Sequence, residues 1–452
     1  MTTYIPHTGE DVADMLSFLG LASVDDLFEA VPDALRLAGG LGLPPGRGEP
    51  DVLAELEELA AANRARTDRM VCFAGAGAYD HEIPAVTRAL AGRSEFVTSY
   101  TPYQPEVAQG VLQAVFEFQT MVARLAGLPI ANASLYDGAS AVVEAVNLGV
   151  AASGRPVVWL SQGVHPHWRA TAATAAAGTG HDLRTFPLAD GVTAWPDPSA
   201  PGVPGDDPPG VVVVAYPNYL GCLEDLAPAR AWCDRTGAVL VVVADPVAAG
   251  LLRSGGDWGA DVVVGEGQAF GTPLGFGGPY LGLFATTQDH LRRLPGRLVG
   301  ETVDTEGRRA YVTTLRTREQ DIRREKATSN VCTNQTLMAV TAAIQLGWLG
   351  TSGLVELGRR CAVATRVTRD ALLAIDGVEP YASAPVVREF AVRTPVPAAV
   401  LLERLAGEGF LGGVALGEEF PGGEHALLVA VTDRRTRAEV DAFVAAVARA
   451  VT

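Results

Sequence analysis

The chain has 452 residues, of which 48% are hydrophobic, and it carries a formal net charge of −17 at pH 7. The apolar fraction is sufficient for a large buried core, and the length favours one large domain with smaller additions. The acidic balance argues against a broad nucleic-acid-binding or anionic-membrane-binding surface, because both need clustered positive charge. No apolar run reaches the roughly 18 residues that span a bilayer, so we expect no membrane-spanning segment.

The start of the chain and its cysteines predict a cytoplasmic protein. The opening residues, "MTTYIPHTGEDVADML", lack the basic and apolar regions of a secretory signal. The five cysteines show neither metal-ligand spacing nor a C-x-x-C pair, which favours reduced thiols. We therefore expect a cytoplasmic protein that binds no metal.

The first 62 residues predict short helices. Thr8 and Asp11 have the spacing of a helix cap, and Ser23 precedes a second short helical segment. A third helix is expected over residues 51–70, after a Gly/Pro-rich joint. We interpret residues 1–62 as a helical arm that lies on the main domain.

Strands and helices alternate from about residue 71 to about residue 290. The clearest strand candidates are Val/Leu-rich runs at 157–160, 211–216, 238–245 and 261–267. Continuous apolar runs between helices indicate a parallel sheet that is buried on both faces. We assign residues 63–345 to this large α/β domain.

The remaining residues, 346–452, predict a small α+β domain. Helices are expected at about 335–348 and 352–375, followed by two strands around a helix. The last helix begins with Thr436 and Glu439 at capping-box spacing.

Lys326 is the only lysine in the chain. One reading makes it a covalent catalyst, such as the Schiff-base lysine of a pyridoxal phosphate enzyme. The other makes it incidental, in a chain whose composition favours arginine. Its segment, "LRTREQDIRREKATSN" (315–330), predicts either a solvated helix with internal ion pairs or a basic loop for a carboxylate or phosphate, with a helix starting at Ser329 or Asn330.

Polar residues near predicted strand ends suggest a ligand site. Asp245 follows a buried strand and is a candidate partner for a protonated pyridine nitrogen, or simply the cap of the next turn. Gly138 and Ser140 open a predicted helix, whose backbone N–H groups would cradle a phosphate unless this is an ordinary capped helix. His165 in "GVHPHW" is interpreted as a pocket or loop histidine rather than a metal ligand.

Long segments of the chain resemble the glycine decarboxylase P-protein family, and most closely its first subunit in the two-chain form. The resemblance rests on "FAGAGAYDHEIPAV", "EFVTSYTPYQPEVAQGVLQAVFEFQ", "VVGEGQAFGTPLGFGGPYLG" and "TREQDIRREKATSNVCTNQ", and it covers nearly the whole chain. It implies a type I pyridoxal-phosphate-dependent transferase fold, with a mostly parallel seven-stranded sheet domain and a small α+β domain. The implied activity is decarboxylation of glycine, with release of CO2 and transfer of the aminomethyl group to the lipoyl arm of the H-protein.

The same resemblance explains the single lysine. In this fold the Schiff-base lysine follows the strand after the pyridine-binding aspartate, and here that position holds Gln268, downstream of Asp245. An amide forms no imine, and Lys326 is poorly placed to substitute. We therefore expect pyridoxal phosphate to be held covalently by the second subunit and not by this chain, in a heterotetramer with two copies of each.

This chain is then expected to supply one wall of a shared active site. The predicted wall residues are Tyr100, Tyr103, Glu106, Arg324, Lys326 and Asn330. A degenerate cofactor pocket is expected at Gly138, Ser140, His165 and Asp245. The alternatives are a non-catalytic scaffold or regulatory protein that retains the fold, and an autonomous pyridoxal phosphate enzyme that uses Lys326.

Overall fold

The computed structural model describes residues 6–37, 39, 41–63, 70–97, 102–197 and 207–452. The helices are α1 Gly9–Leu19, α2 Glu49–Ala61, α3 Ala85–Ala91, α4 Ser94–Val97, α5 Gln109–Ala126, α6 Gly138–Ser153, α7 Pro166–Thr179, α8 Leu226–Thr236, α9 Gln320–Arg323, α10 Thr336–Leu373, α11 Ala398–Gly407 and α12 Arg437–Ala450. The strands are β1 Val71–Cys72, β2 Ile130–Ala131, β3 Val157–Ser161, β4 Asp182–Phe186, β5 Leu188–Ala189, β6 Val192–Thr193, β7 Val211–Tyr216, β8 Val239–Ala244, β9 Val262–Glu266, β10 Gly282–Thr286, β11 Leu298–Val303, β12 Arg309–Thr314, β13 Glu379–Pro380, β14 Glu389–Arg393, β15 Phe410–Leu411, β16 Val414–Ala415 and β17 Ala426–Ala430.

Residues 1–64 form one compact unit, and residues 65–452 form another. In the first unit, helix α1 begins with the predicted cap: the Asp11 backbone N–H donates to the Thr8 hydroxyl, and the Asp11 carboxylate accepts from Thr8. The segment after Ser23 is a short 3₁₀-helix, Val24–Phe28, rather than an α-helix.

The second unit is built on a seven-stranded sheet with the strand order β2-β10-β9-β8-β7-β3-β4. All of its strands run parallel except β10, which is antiparallel to both neighbours. The mostly parallel seven-stranded sheet is thus confirmed, and the four predicted strand runs coincide with β3, β7, β8 and β9.

Both faces of the sheet are covered, which explains the unbroken apolar runs. Because successive side chains of a strand point to opposite faces, Val212 and Val214 of β7 join the core formed with α5, α8 and α10. Val211 and Val213 join the other core, formed with α6 and α7. The loops at the carboxyl ends of these strands are therefore held by two packed layers.

Helix α10 differs from the prediction in two ways. Its start at Thr336 confirms the helix expected at about 335–348, so the helix start expected at Ser329 or Asn330 is wrong. The two predicted helices form one element, which is interrupted at Gly350 (φ 58°). The length and composition of α10 would allow a helix to cross a membrane. Ala339 and Cys361, however, are fully buried in the core of the second unit, as in the core helix of a globular domain.

The C-terminal part of the second unit is a four-stranded sheet, β13-β14-β17-β16, with helices α11 and α12. The predicted capping box at Thr436 and Glu439 is confirmed. Residues from the start of this unit join it: Phe73 stacks on Phe443 of α12 with ring centroids 3.9 Å apart. The chain after Phe73 continues to the carboxyl ends of the parallel strands, where the candidate site lies.

Candidate functional site

A buried ion pair occupies the centre of the site. Asp245 directly follows β8, and Arg388 directly precedes β14 of the C-terminal sheet. The Arg388 Nη2 lies 2.8 Å from the Asp245 carboxylate, with side chains only 5% and 14% exposed. The aspartate predicted to face a pyridine nitrogen therefore faces a permanent cation of its own chain.

The ion pair continues into a second buried pair. Arg388 Nη1 lies 2.7 Å from His81 Nε2, and His81 Nδ1 lies 2.7 Å from an Asp433 oxygen. Burial lowers the pKa of His81, so its neutral ring accepts from Arg388 and donates to Asp433. Cys361 lies close enough to complete a set of metal ligands with His81 and Asp433, but the adjacent guanidinium disfavours a cation there.

An aromatic ring and a second carboxyl group complete this side of the site. The Arg388 guanidinium carbon lies 3.5 Å from the centroid of the Tyr79 ring. The Tyr79 hydroxyl donates to Glu389 Oε2 at 2.8 Å, and the Ala76 N–H donates to Oε1 at 2.6 Å. Burial raises the pKa of Glu389 to about 7. This carboxyl group thus holds the segment that carries Tyr79 against the C-terminal sheet.

Gln268, at the position expected for the Schiff-base lysine, is 2% exposed and fully engaged. Its Oε1 accepts from the Tyr79 N–H at 2.9 Å. Its Nε2 donates to the carbonyls of Tyr79 at 3.1 Å and Thr272 at 2.6 Å. A lysine has no acceptor and cannot reproduce this pattern, so the amide acts as a structural clamp here.

The amino terminus of helix α6 is already capped by carboxylates. The Gly138 N–H donates to Glu266 Oε2 at 2.9 Å, and the Ser140 N–H donates to Asp137 Oδ1 at 2.6 Å. Burial raises the pKa of Glu266 to about 7. These acceptors occupy backbone N–H donors that a phosphate at this helix end would need.

Both ring nitrogens of His165 form hydrogen bonds to backbone groups. Its Nε2 donates to the Ala76 carbonyl at 2.8 Å, and its Nδ1 accepts from the His167 N–H at 3.1 Å. The ring stacks on Trp168 with centroids 5.6 Å apart. Burial lowers the pKa of His165 to about 4, so the ring is neutral at physiological pH.

The space left between these groups is small. The pocket is lined by His165, Tyr219, Asp245, Gln268, Arg388 and Glu389, among others, and encloses ≈ 80 Å³. A cavity of about 150 Å³ holds benzene, and pyridoxal phosphate is much larger than benzene. The pocket is too small, the helix end is already capped, and Asp245 is already paired with Arg388. The residues of this chain's own pocket therefore do not fit pyridoxal phosphate.

The predicted wall residues do not line this pocket. Of Tyr100, Tyr103, Glu106, Arg324, Lys326 and Asn330, Tyr100 lies outside the described residues, and the other five are exposed. Tyr103 accepts a hydrogen bond of 2.7 Å from Arg297. Lys326 ends a short 3₁₀-helix, Arg324–Lys326, on the surface and away from the pocket lining. A shared site at these residues stays a prediction.

Asn330 and Ser140 instead meet at a mostly apolar groove of ≈ 580 Å³ between helices α6 and α7. Glu144 lies in its wall, is 8% exposed and leaves Oε2 without a hydrogen-bond partner among the described residues. Burial raises the pKa of Glu144 to about 7. The folded state therefore binds this proton more tightly than the unfolded state, whose pKa is near 4.5.

Glu144→Gln is expected to stabilise the protein at high pH but not at low pH. Between pH 4.5 and about 7 the wild type loses stability as pH rises, because the buried carboxylate must ionise. The gain at roughly pH 8 is at most about 3 kcal/mol, since one pKa unit is worth about 1.4 kcal/mol. Urea unfolding at roughly pH 5 and pH 8 measures it, with the exposed Glu117→Gln on α5 as control. An equal effect of Glu144→Gln at both pH values would contradict the buried-acid assignment.

The sequence did not identify four residues that line the pocket, Tyr79, Glu266, Arg388 and Glu389. It also did not identify His81, which bonds to Arg388 behind them. Arg388 and Glu389 stand at the start of the first of the two strands expected in the small domain. Two adjacent charges at the start of an apolar strand were the available signal, because buried charges are rare unless paired. Their partners lie far away in sequence and gave no local pattern.

Comparison with known proteins gives one consistent result for the family. The model of the family described as glycine cleavage system P-protein matches residues 2–446. A protein of Moorella thermoacetica named "Probable glycine dehydrogenase (decarboxylating) subunit 1" is 45% identical over 444 residues, 98% of each chain. A protein of the same name from Geotalea uraniireducens is 43% identical over 441 residues, again 98% of each chain.

Solved structures agree on the fold. The crystal structure of a glycine decarboxylase (P-protein) of the glycine cleavage system, in inhibitor-bound form, superposes with a TM-score of 0.91 at 44% identity, covering 99% of this chain and 100% of the other. The sphingosine-1-phosphate lyase of Burkholderia pseudomallei has a TM-score of 0.66 at 16% identity, covering 92% and 93%, which shows likeness of fold alone. The type I pyridoxal-phosphate-dependent transferase fold is thus confirmed.

Proposed function

Because the chain belongs to the glycine cleavage system P-protein family, we propose that it is the lysine-less subunit of a two-chain glycine decarboxylase. The relatives' designation as "subunit 1" supports a second subunit. With that partner, the complex decarboxylates glycine, releases CO2 and transfers the aminomethyl group to the lipoyl arm of the H-protein.

One observation carries the proposal. Gln268 occupies the expected place of the Schiff-base lysine and is held by three hydrogen bonds. The chain's one lysine, Lys326, is exposed on a surface segment. A decarboxylase of this fold needs an amine that forms an imine with its cofactor, so the amine must come from another chain.

The contribution of this chain is then structural and positional. Pyridoxal phosphate on the second subunit supplies the electron sink for decarboxylation. This chain closes the site against water and orients the substrate, which strengthens electrostatic interactions there and lowers the entropic part of the barrier. In its own pocket, Asp245 pairs with Arg388 and not with a cofactor.

Mixing the two subunits tests the proposal. The second subunit is the chain of the same family that carries the lysine. The account predicts co-elution at micromolar concentration as an assembly with two copies of each. With lipoylated H-protein present in every assay as the aminomethyl acceptor, it predicts release of CO2 from carboxyl-labelled glycine only by the mixture. Lys326→Ala in this chain serves as the discriminating control: an autonomous enzyme would lose its activity with this change. CO2 release by this chain alone, or failure of the wild-type chains to co-elute, would refute the proposal.

A further inference from the structure

Two arginines contact one half-exposed tyrosine outside the pocket described above, and a third arginine bonds to the segment that carries the first. Arg297 donates to the Tyr103 hydroxyl at 2.7 Å, and its guanidinium carbon lies 5.0 Å from the Tyr103 ring centroid. The guanidinium carbon of Arg316 lies 5.4 Å from the same ring. Arg318 Nη1 donates to the Leu294 carbonyl, three residues before Arg297. The arginine cluster, Arg297, Arg316 and Arg318, is therefore tied together through Tyr103 and the 294–297 segment.

This arginine cluster has more hydrogen-bond donors than acceptors. Arg297 Nη1, Arg316 Nε, and Arg318 Nε and Nη2 are buried atoms without a hydrogen-bond partner among the described residues. Arg297 is only 5% exposed. An unsatisfied buried donor costs about 1–3 kcal/mol, and more when charged. Native proteins keep such a group mainly where an ion, a water or a function explains it.

Within the described residues, only one of the three guanidinium groups has a carboxylate at salt-bridge distance. Within the part of the chain that the structure describes, no carboxylate lies within salt-bridge distance of Arg297 or Arg318, and Arg316 has only a 3.5 Å contact to Asp321. Most other arginines with bridges in the described residues pair at closer range, as Arg388 does with Asp245 at 2.8 Å. An anion from outside the chain would supply what is missing.

The cluster is open to a ligand on one side. Tyr103 is 51% exposed, and the Arg316 side chain is 40% exposed. A guanidinium is a planar fork of donors that matches the oxygens of a carboxylate or phosphate. Tyr103 contacts both Arg297 and Arg316, so a small oxyanion at this surface would lie next to guanidinium groups.

We propose that Arg297, Arg316 and Arg318 form an oxyanion-binding subsite around Tyr103, which takes a carboxylate or a phosphate. The source of the oxyanion rests on the proposed function: it is either the carboxylate of the amino-acid substrate or a phosphate at the shared active site. The binding itself does not depend on that function. These arginines are positioning residues, since they bind an anionic group and transfer no proton.

Calorimetric titration of the full chain, alone and then in complex with the second subunit, tests the subsite. Inorganic phosphate and acetate are the two probes, at constant ionic strength. The expected result is saturable binding of one anion per chain, weakened tenfold or more by Arg318→Gln, as for loss of one charge-assisted hydrogen bond. Arg308→Gln is the matched control, because Arg308 is 70% exposed and pairs with Asp304. Binding of phosphate alone identifies a phosphate source, and binding of acetate alone identifies a carboxylate.

Other outcomes overturn the subsite. Absence of saturable binding of both probes, to the chain and to the complex, contradicts it. If both probes fail but Arg318→Gln weakens association with the second subunit, the cluster docks an acidic side chain of a partner and the small-anion assignment is wrong. Should Arg318→Gln fail to fold, Arg316→Gln is used in its place, since Arg316 is more exposed. Failure of the wild-type subunits to associate refutes the proposed function. The anion subsite is then tested by the titration of the single chain alone.

Discussion

Arg388→Ala is expected to lower the free energy of unfolding by about 3–5 kcal/mol, the cost of removing one partner from a buried ion pair. The variant leaves the carboxylate of Asp245 buried without its cation, because the pair is 2.8 Å apart and mostly covered. It also removes the donor to His81. Urea unfolding, followed by circular dichroism, measures the loss.

Two further variants show whether the loss comes from the uncompensated charge. Arg366→Ala removes an arginine that is 85% exposed and 3.7 Å from Asp370, and is expected to cost less than about 0.5 kcal/mol. Arg388→Met combined with Asp245→Asn is expected to recover most of the loss, because it removes both charges and leaves no uncompensated buried charge. The amide oxygen at position 245 can still accept from the Val247 N–H. A loss of unfolding free energy below about 1 kcal/mol for Arg388→Ala would contradict the assignment of Arg388 and Asp245 as a buried ion pair.

Gly221→Ala is the second variant for which we expect a large effect. Gly221 has a φ of 79°, and an added Cβ would lie 1.8 Å from the backbone oxygen of Glu389. The left-handed conformation costs a non-glycine residue about 1–2 kcal/mol, and forcing atoms into a packed site costs about 1–3 kcal/mol more. The expected loss of unfolding free energy is therefore roughly 2–5 kcal/mol.

Gly417→Ala is the matched control for this variant. Gly417 has a φ of 71°, and nothing lies within 4 Å of the added Cβ. It therefore reports the backbone cost alone, about 1–2 kcal/mol. If Gly221→Ala and Gly417→Ala unfold at the same urea concentration, the close approach of the 217–222 loop to Glu389 is wrong.

The elements that the sequence predicted well are those specified by local patterns. The valine runs of β7 and β8 are buried on both faces, so their composition alone indicates central parallel strands. The caps at Thr8 and Thr436 depend on residues three positions apart and were visible for the same reason. The place of Asp245 after β8 follows from strand order and polarity.

The elements that the sequence did not predict depend on contacts between distant segments. Arg388 meets Asp245 only because the C-terminal sheet packs against the carboxyl ends of the parallel strands. Glu266 reaches the amino terminus of α6 through a hydrogen bond to Gly138, 128 residues away. Neither pairing leaves a periodic signal in the sequence, so neither could be predicted from it.

The helix expected at about 335–348 was found, but the helix start expected at Ser329 or Asn330 was wrong for a different reason. Ser329 and Asn330 are good capping residues by type, but the chain continues as an irregular segment to Gln335. Asn334 donates from its side chain to the Ala133 carbonyl at 2.9 Å. Tertiary contacts of this kind fix the segment before the helix and override the local preference.

The most direct test of the account is reductive trapping of the cofactor with borohydride, because this chain has a single lysine. The chain, the second subunit and their mixture are each incubated with pyridoxal phosphate and reduced, and the pyridoxyl label is mapped by peptide mass. The account predicts a stoichiometric label on a lysine of the second subunit and none on Lys326. A stoichiometric label on Lys326 would contradict it and would make this chain a cofactor-binding enzyme in its own right.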